Sequence, residues 1–237
     1  MKLTTLLCST LVVSSLAFAG VAAAKEGKPV GITPDIMSVT VQHNGKANEI
    51  KRDQNNAATV IPAFAKTSRP CPPFCIQPIV LAPGVETLGE NEVIHYLDQK
   101  YNKGHSNVLV VDSRTPDWVA KGTIPGAINL PWTKLTPKKG ATTDGIMKIM
   151  QDHFAVKLVK GADAFSVDEA IAAGDTSKVF DYSSCKTLVM FCNGMWCGQA
   201  PNNIMNLLKF GYPADKIKWY RGGMQDWAVL GLSTAKP

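Results

Sequence analysis

Histidine is scarce, with four in 237 residues. None of them (His43, His95, His105, His153) shares a motif with a cysteine or falls at a metal-ligand spacing. No metal site is therefore expected, and no motif implies an organic cofactor. A basic run is also missing. The formal charge is +6, from 25 Lys and Arg against 19 Asp and Glu, but the cations are scattered, so nucleic acid is not an expected partner; a mildly cationic surface favours small anionic substrates instead. Beyond the first two dozen residues there is no second long apolar run, and no internal repeat or low-complexity tract appears.

The one apolar run opens the chain. Lys2 precedes "LLCSTLVVSSLAFAGVA", and Ala22-Ala23-Ala24 provide a small-residue exit before "KEGKP", the pattern of a signal peptide over residues 1–24. A membrane anchor would need about 20 apolar residues and a stop-transfer pattern, whereas serines break this run. The expectation is a periplasmic or secreted protein with no membrane span after cleavage. Cys8 leaves with the peptide, and Cys71, Cys75, Cys185, Cys192 and Cys197 remain. Their number is odd, so in an oxidising compartment at least one thiol stays free or is otherwise occupied.

The rest is long enough for one sizeable core, or one core with an appendage. Residues 25–82 are polar and proline-rich and read as an extension wrapped on the main domain. Within it "SVTVQHNGKANEIKR" reads as a hairpin turning at Asn44-Gly45, and the prolines of "RPCPPFCIQP" forbid regular structure. From Val85 helix and strand signatures alternate. Thr87 and Glu90 have capping-box spacing ahead of Val93, Ile94 and Leu97. "NVLVVDSR", "GAINLPW", "KTLVMF" and "IKWYRGG" read as strands, and "TPDWVAKG", "DGIMKIMQDHF", "VDEAIAAG" and the stretch bearing Ile204, Leu207 and Leu208 as helical. Residues 83–237 are thus expected to form an α/β domain, a mainly parallel central sheet flanked by helices on both faces, behind an irregular and partly β extension.

Chemistry concentrates in "LVMFCNGMWCGQAP". Ligands of such sheets gather beyond the carboxyl ends of the strands, where Cys192 stands. A helix from Gln199 to Phe210 would direct its unpaired N–H groups back toward the loop, favouring negative charge. Cys192 is therefore expected to be a solvent-open thiolate nucleophile with a pKa below the ordinary value of about 8.5. Gly194 and Gly198 would let the backbone curl closely around the sulfur.

The stretches "VVDSRTPDWVAKGTIPGAINLPW", "LVMFCNGMWCGQAPNNIMNLLKFGY" and "WYRGGMQDWAVLGL" resemble, in order and spacing, the signature stretches of rhodanese (thiosulfate sulfurtransferase) domains, over about Val85 to Leu232. Asp112 and Arg114 after a strand, Ile124-Pro125-Gly126-Ala127 before the next, and Gly222-Gly223 with Trp227 carry the likeness. The resemblance implies that Cys192 takes sulfane sulfur as a persulfide and passes it to a thiophilic acceptor, while Asp112, Arg114 and the Gly-Gly-Trp region frame the pocket. Many such domains hold an arginine five positions after the nucleophile, where this chain has Cys197. Its absence removes a partner for a thiosulfate oxyanion.

Cys197 has two readings. It could attack a Cys192 persulfide or guard the thiol by forming a disulfide; alternatively it is a small residue packed under the loop. Asn193, Gly194, Met195, Trp196 and Gly198 are expected to cradle and shield the sulfur. Met195 and Trp196 would favour a less charged donor or pack the loop on the domain. Cys71 and Cys75 read as a local disulfide, or as a redox pair exchanging with the Cys192 loop. Cys185 reads as a buried, inert thiol. The expected partners are a small sulfur donor, a thiol or protein-cysteine acceptor, and an envelope redox partner. Two rival functions remain: a thiol-disulfide redox protein using Cys192 with Cys197, and a non-catalytic rhodanese-like binding module.

Overall fold

The computed structural model describes residues 28–237; the signal-peptide reading, with Lys2 and Cys8, lies outside them. Among the described residues the first elements form a hairpin, β1 (Ser38–His43) and β2 (Lys46–Lys51), paired antiparallel. Asn44 (φ 50°) and Gly45 (φ 73°) are both left-handed, as a two-residue turn that matches strand twist requires.

The central strands are β3 (Glu86–Leu88), β4 (Val108–Asp112), β5 (Ile128–Asn129), β8 (Thr187–Phe191) and β9 (Ile217–Tyr220). They form a wholly parallel sheet of five strands in the order β3-β9-β8-β4-β5. All of β4 is buried, as expected of a strand covered on both faces. A separate antiparallel ribbon joins β6 (Lys157–Leu158) to β7 (Phe180–Asp181). The helices are α1 (Glu90–Asn102), α2 (Pro116–Val119), α3 (Thr143–Phe154), α4 (Ala164–Ala173), α5 (Gln199–Lys209) and α6 (Gly223–Val229).

Alternation along the strands divides the core. Leu109, Val111, Leu188, Met190 and Trp219 face α3, α4 and α5 through Ile146, Met150, Val167, Ile204 and Leu207. Val108, Val110, Val189, Phe191 and Tyr220 face α1 and α6 through Val93, Ile94, Leu97, Met224 and Trp227. The second layer also takes in Val39, Val41, Ile50 and Phe64. The extension therefore does more than wrap the domain: it supplies part of one core layer. His43 pins it further, accepting the Gly126 N–H at Nδ1 (3.2 Å) and donating from Nε2 to the Lys236 carbonyl (3.2 Å).

Two local expectations need correction. Thr87 does not cap α1; it lies inside the edge strand β3, and its hydroxyl donates to the Ile79 carbonyl. Gly89 is the N-cap, and the Glu92 carboxylate accepts its N–H at 3.0 Å. The fourth helix starts earlier than "VDEAIAAG" because Asp163 caps it, accepting the Ser166 N–H at 2.9 Å while Ser166 Oγ accepts the Asp163 N–H. No helix among the described residues is long and apolar enough to cross a membrane.

Candidate active site

Strand β8 lies mid-sheet between β9 and β4, and Cys192 follows its last residue at the carboxyl edge. The chain then loops through Gly198, and α5 starts at Gln199. The loop carbonyls are occupied on its outer side. Cys192 O accepts the Met224 N–H and Asn193 O the Gln225 N–H, both at 3.0 Å; Gly194 O accepts the Cys197 N–H at 2.9 Å, and Met195 O the Gln77 N–H at 2.8 Å. The amides of Asn193, Gln199 and Ala200 favour negative charge on the two sulfurs.

Those amides do not make Cys192 an open thiolate. Cys192 is 3% exposed and Cys197 4%. Burial pushes the Cys192 thiol well up, and the hydrogen bond to Cys197 and its charge add to this; the Ala200 and Asn193 amides only partly oppose them. Burial acts on Cys197 too, but the hydrogen bond from Cys192, the Asn193 and Gln199 amides and the Arg114 charge outweigh it and hold that thiol low. The two titrate as a pair, whose first ionisation is eased and whose second is opposed. Cys192 Sγ also lies 3.3 Å from the Cys197 carbonyl, to which it donates. Cys197 is thus in direct contact with Cys192, and the two thiols are not joined.

Asp112 and Arg114 stand behind the loop, both buried. Arg114 Nη2 meets Asp112 Oδ2 at 2.6 Å and Nε meets Oδ1 at 2.8 Å. The guanidinium also donates to the carbonyls of Gly122 (2.7 Å) and Trp118 (3.3 Å) and to Asn193 Oδ1 (3.4 Å). Thr123 Oγ1 donates to Asp112 Oδ2 at 2.6 Å. The pair is saturated, as a buried ion pair must be, and it reaches the loop through Asn193. The Asn193 side chain is occupied by that contact, while its amide serves the sulfurs.

The glycine that lets the loop close lies in the Gly222-Gly223 pair, outside the loop itself. Gly223 has φ +57°, and a Cβ there would lie 2.4 Å from Cys192 O and 2.8 Å from Gly194 N. Only glycine lets α6 begin against the loop. Gly198 has an ordinary φ of −87°, and Gly194 is confined mainly by Gln225.

The extension covers the loop from outside. Phe74 meets Trp196 edge-on at 5.6 Å, and the Arg69 guanidinium lies 3.9 Å from the Trp196 ring centroid. Trp196 Nε1 donates to Gln225 Oε1 at 2.9 Å, Gln225 Nε2 to the Lys66 carbonyl at 3.3 Å, and Arg221 Nη2 to the Gln77 carbonyl at 2.8 Å. Trp196 thus packs the loop against the extension, and Met195 stays exposed. Cys71 and Cys75 are joined in a disulfide within this cover. Cys185 is buried and free at the turn before β8, its thiol raised by burial. Arg69, Phe74 and Gln77 lie within "RPCPPFCIQP" and Gln225 within "WYRGGMQDWAVLGL", but nothing in either stretch marked them as neighbours of the cysteine loop.

Residues 94–229 match the family model described as Rhodanese-like domain. None of the curated proteins matches the chain. Similar solved structures include a protein of Bacillus halodurans, at 17% identity over 61% of this chain and 71% of that one, TM-score 0.34. Another is thiosulfate sulfurtransferase from Pseudomonas aeruginosa, at 18% identity over 64% of this chain and 20% of that one, TM-score 0.35. A rhodanese-like domain from Anabaena is similar at 16% identity over 60% of this chain and 76% of that one, TM-score 0.31.

Proposed function

The chain belongs to the Rhodanese-like domain family, and from that premise we propose that it carries sulfane sulfur as a persulfide on Cys192 and hands it to a thiol acceptor outside the cytoplasm. The contact between Cys192 and Cys197 carries this reading. A buried thiol with a raised pKa is a poor nucleophile by itself, but the Cys197 sulfur beside it has a lowered pKa and, once ionised, can accept the Cys192 proton. As a donor arrives, the Cys192 proton moves to Cys197, and the Cys192 thiolate attacks the donor's terminal sulfur. With thiosulfate the new bond is Cys192–S–S⁻, the bond to the sulfonate sulfur breaks, and sulfite leaves with the electron pair. The amides of Asn193 and Ala200 favour negative charge on the Cys192 sulfur. An acceptor thiolate then attacks the outer sulfur, forming its own persulfide and returning Cys192 as thiolate.

Intact-mass measurement after exposure to thiosulfate tests the proposal. The expected result is a gain of one sulfur atom that disappears in Cys192→Ala and forms more slowly in Cys197→Ser; no gain in the wild type overturns it. The same contact favours a second reading, in which the Cys197 thiolate attacks the inner sulfur of the persulfide. That attack would expel hydrosulfide and leave a Cys192–Cys197 disulfide, to be reduced by an external dithiol. Mass mapping during turnover separates the two, because only the second accumulates that disulfide. The Cys71–Cys75 disulfide supports an oxidising compartment, and a reporter fused after residue 24 checks export.

A further inference from the structure

The loop from Cys192 to Gly198 contains no charged side chain, and the Arg114 guanidinium behind it is fully engaged with Asp112, Gly122, Trp118 and Asn193. In front of the loop stands Arg69. Its guanidinium carbon lies 3.9 Å from the Trp196 ring centroid and 5.6 Å from those of Phe74 and Trp118. Stacking occupies the faces of a guanidinium and leaves its edge N–H groups free to donate. Arg69 Nε is buried without a hydrogen-bond partner, and no carboxylate among the described residues pairs with the group. Burial draws the Arg69 pKa down, and the Cys197 sulfur draws it back up, so the cation and the thiol pair sense each other's charge.

Arg69 opens onto a groove of ≈ 450 Å³ whose other walls include Ser68, Phe74, Ile76 and Trp196. Ile76 is 82% exposed. One unpaired cation among apolar walls, beside a sulfur-accepting loop, fits a particular kind of ligand: an oxyanion carrying an apolar group.

We propose that Arg69, stacked on Trp196 at the mouth of the cysteine loop, is the recognition residue for organic thiosulfonates, R–SO₂–S⁻. The oxyanion would bond to the guanidinium edge, and the R group would lie against Phe74 and Ile76. The assignment rests on the sulfur-transfer reading. In it, Cys192 attacks the terminal sulfur, the bond between the two donor sulfurs breaks, a sulfinate R–SO₂⁻ leaves with the electron pair, and Cys192–S–S⁻ remains. Charge balances with no further oxidant or reductant.

Binding and transfer are read separately. In calorimetric titration with benzenesulfonate, which has no sulfur to transfer, the wild type should bind. Arg69→Gln should bind at least about tenfold more weakly, the worth of one charge-assisted hydrogen bond, and Arg69→Lys should recover part of the loss. In transfer from benzenethiosulfonate to cyanide, Arg69→Gln should raise KM by a similar factor, and the wild type should show a lower KM for benzenethiosulfonate than for thiosulfate. Equal binding by wild type and Arg69→Gln, no binding by either, or no recovery with lysine overturns the assignment while leaving sulfur transfer to its own mass test. A wild type that binds benzenesulfonate through Arg69 but takes no sulfur upholds the anion site and overturns the transfer.

Discussion

At the scale of single residues, the decisive feature is a pair of buried thiols that titrate together, Cys197 lowered and Cys192 raised. The sign of its effect on stability can be worked out. Cys197 has a lowered pKa, so the native state binds fewer protons there than the unfolded chain; its contribution is present above the unfolded value of about 8.5 and is lost as pH falls through the native one. Cys192 has a raised pKa, so the native state keeps a proton that the unfolded chain releases, and stability falls as pH rises past the same unfolded value. Urea unfolding across pH should therefore show a maximum near the ordinary cysteine pKa, and Cys197→Ser should remove the rise on its acid side. A second residue-scale prediction concerns Asp112. Its replacement by Ala strands the buried Arg114 charge and should cost about 3–5 kcal/mol in urea denaturation. Cys192, Asp112 and Arg114 could be placed from the sequence because each stands at or just beyond the end of a strand that the apolar runs announce. The thiol's burial could not, since it depends on the side chains of separate elements that meet only in the folded core.

Elements were legible in proportion to their length. The amphipathic stripes of α1, α3 and α5 and the apolar runs of β4 and β8 mark themselves by periodicity. Edge strand β3 and the β6–β7 ribbon, each only two or three residues per strand, are too short to show a period, and pairing with distant partners makes them strands. The junction of α6 with the cysteine loop is a case where a motif's physical reason emerges only in three dimensions. Met224 and Gln225 donate to the carbonyls of Cys192 and Asn193, and Gly223 sits where any side chain would strike those same atoms. Gly223→Ala should cost about 1–2 kcal/mol for the left-handed backbone alone, with a further loss from the overlap. Because the shift falls on the loop, the variant should also lose the low first ionisation of the thiol pair, read as thiolate absorbance in the ultraviolet, while far-ultraviolet dichroism stays native.

For the whole molecule, the extension is both a core layer and a cover, and the two roles predict different outcomes. As core, Ile50 is fully buried against the second layer; Ile50→Ala should cost about 2–5 kcal/mol within a single cooperative unfolding transition. As cover, the segment around Phe74 meets the loop by one edge-on aromatic contact, one stacked arginine and a few hydrogen bonds, with Phe74 itself 37% exposed. So light a contact opens far more often than the sheet unfolds. Cys192, buried when the cover is down, should then react with a neutral alkylating agent at a rate set by the fraction of time the cover is up. Removing the Phe74 ring in Phe74→Ala takes away an aromatic contact worth about 0.5–1.5 kcal/mol beyond its buried area. It should speed Cys192 alkylation by iodoacetamide by up to about tenfold and leave the urea midpoint nearly unchanged. If Ile50→Ala accelerates labelling as much as Phe74→Ala does, cover and core open together, and the site is reached only when the domain unfolds.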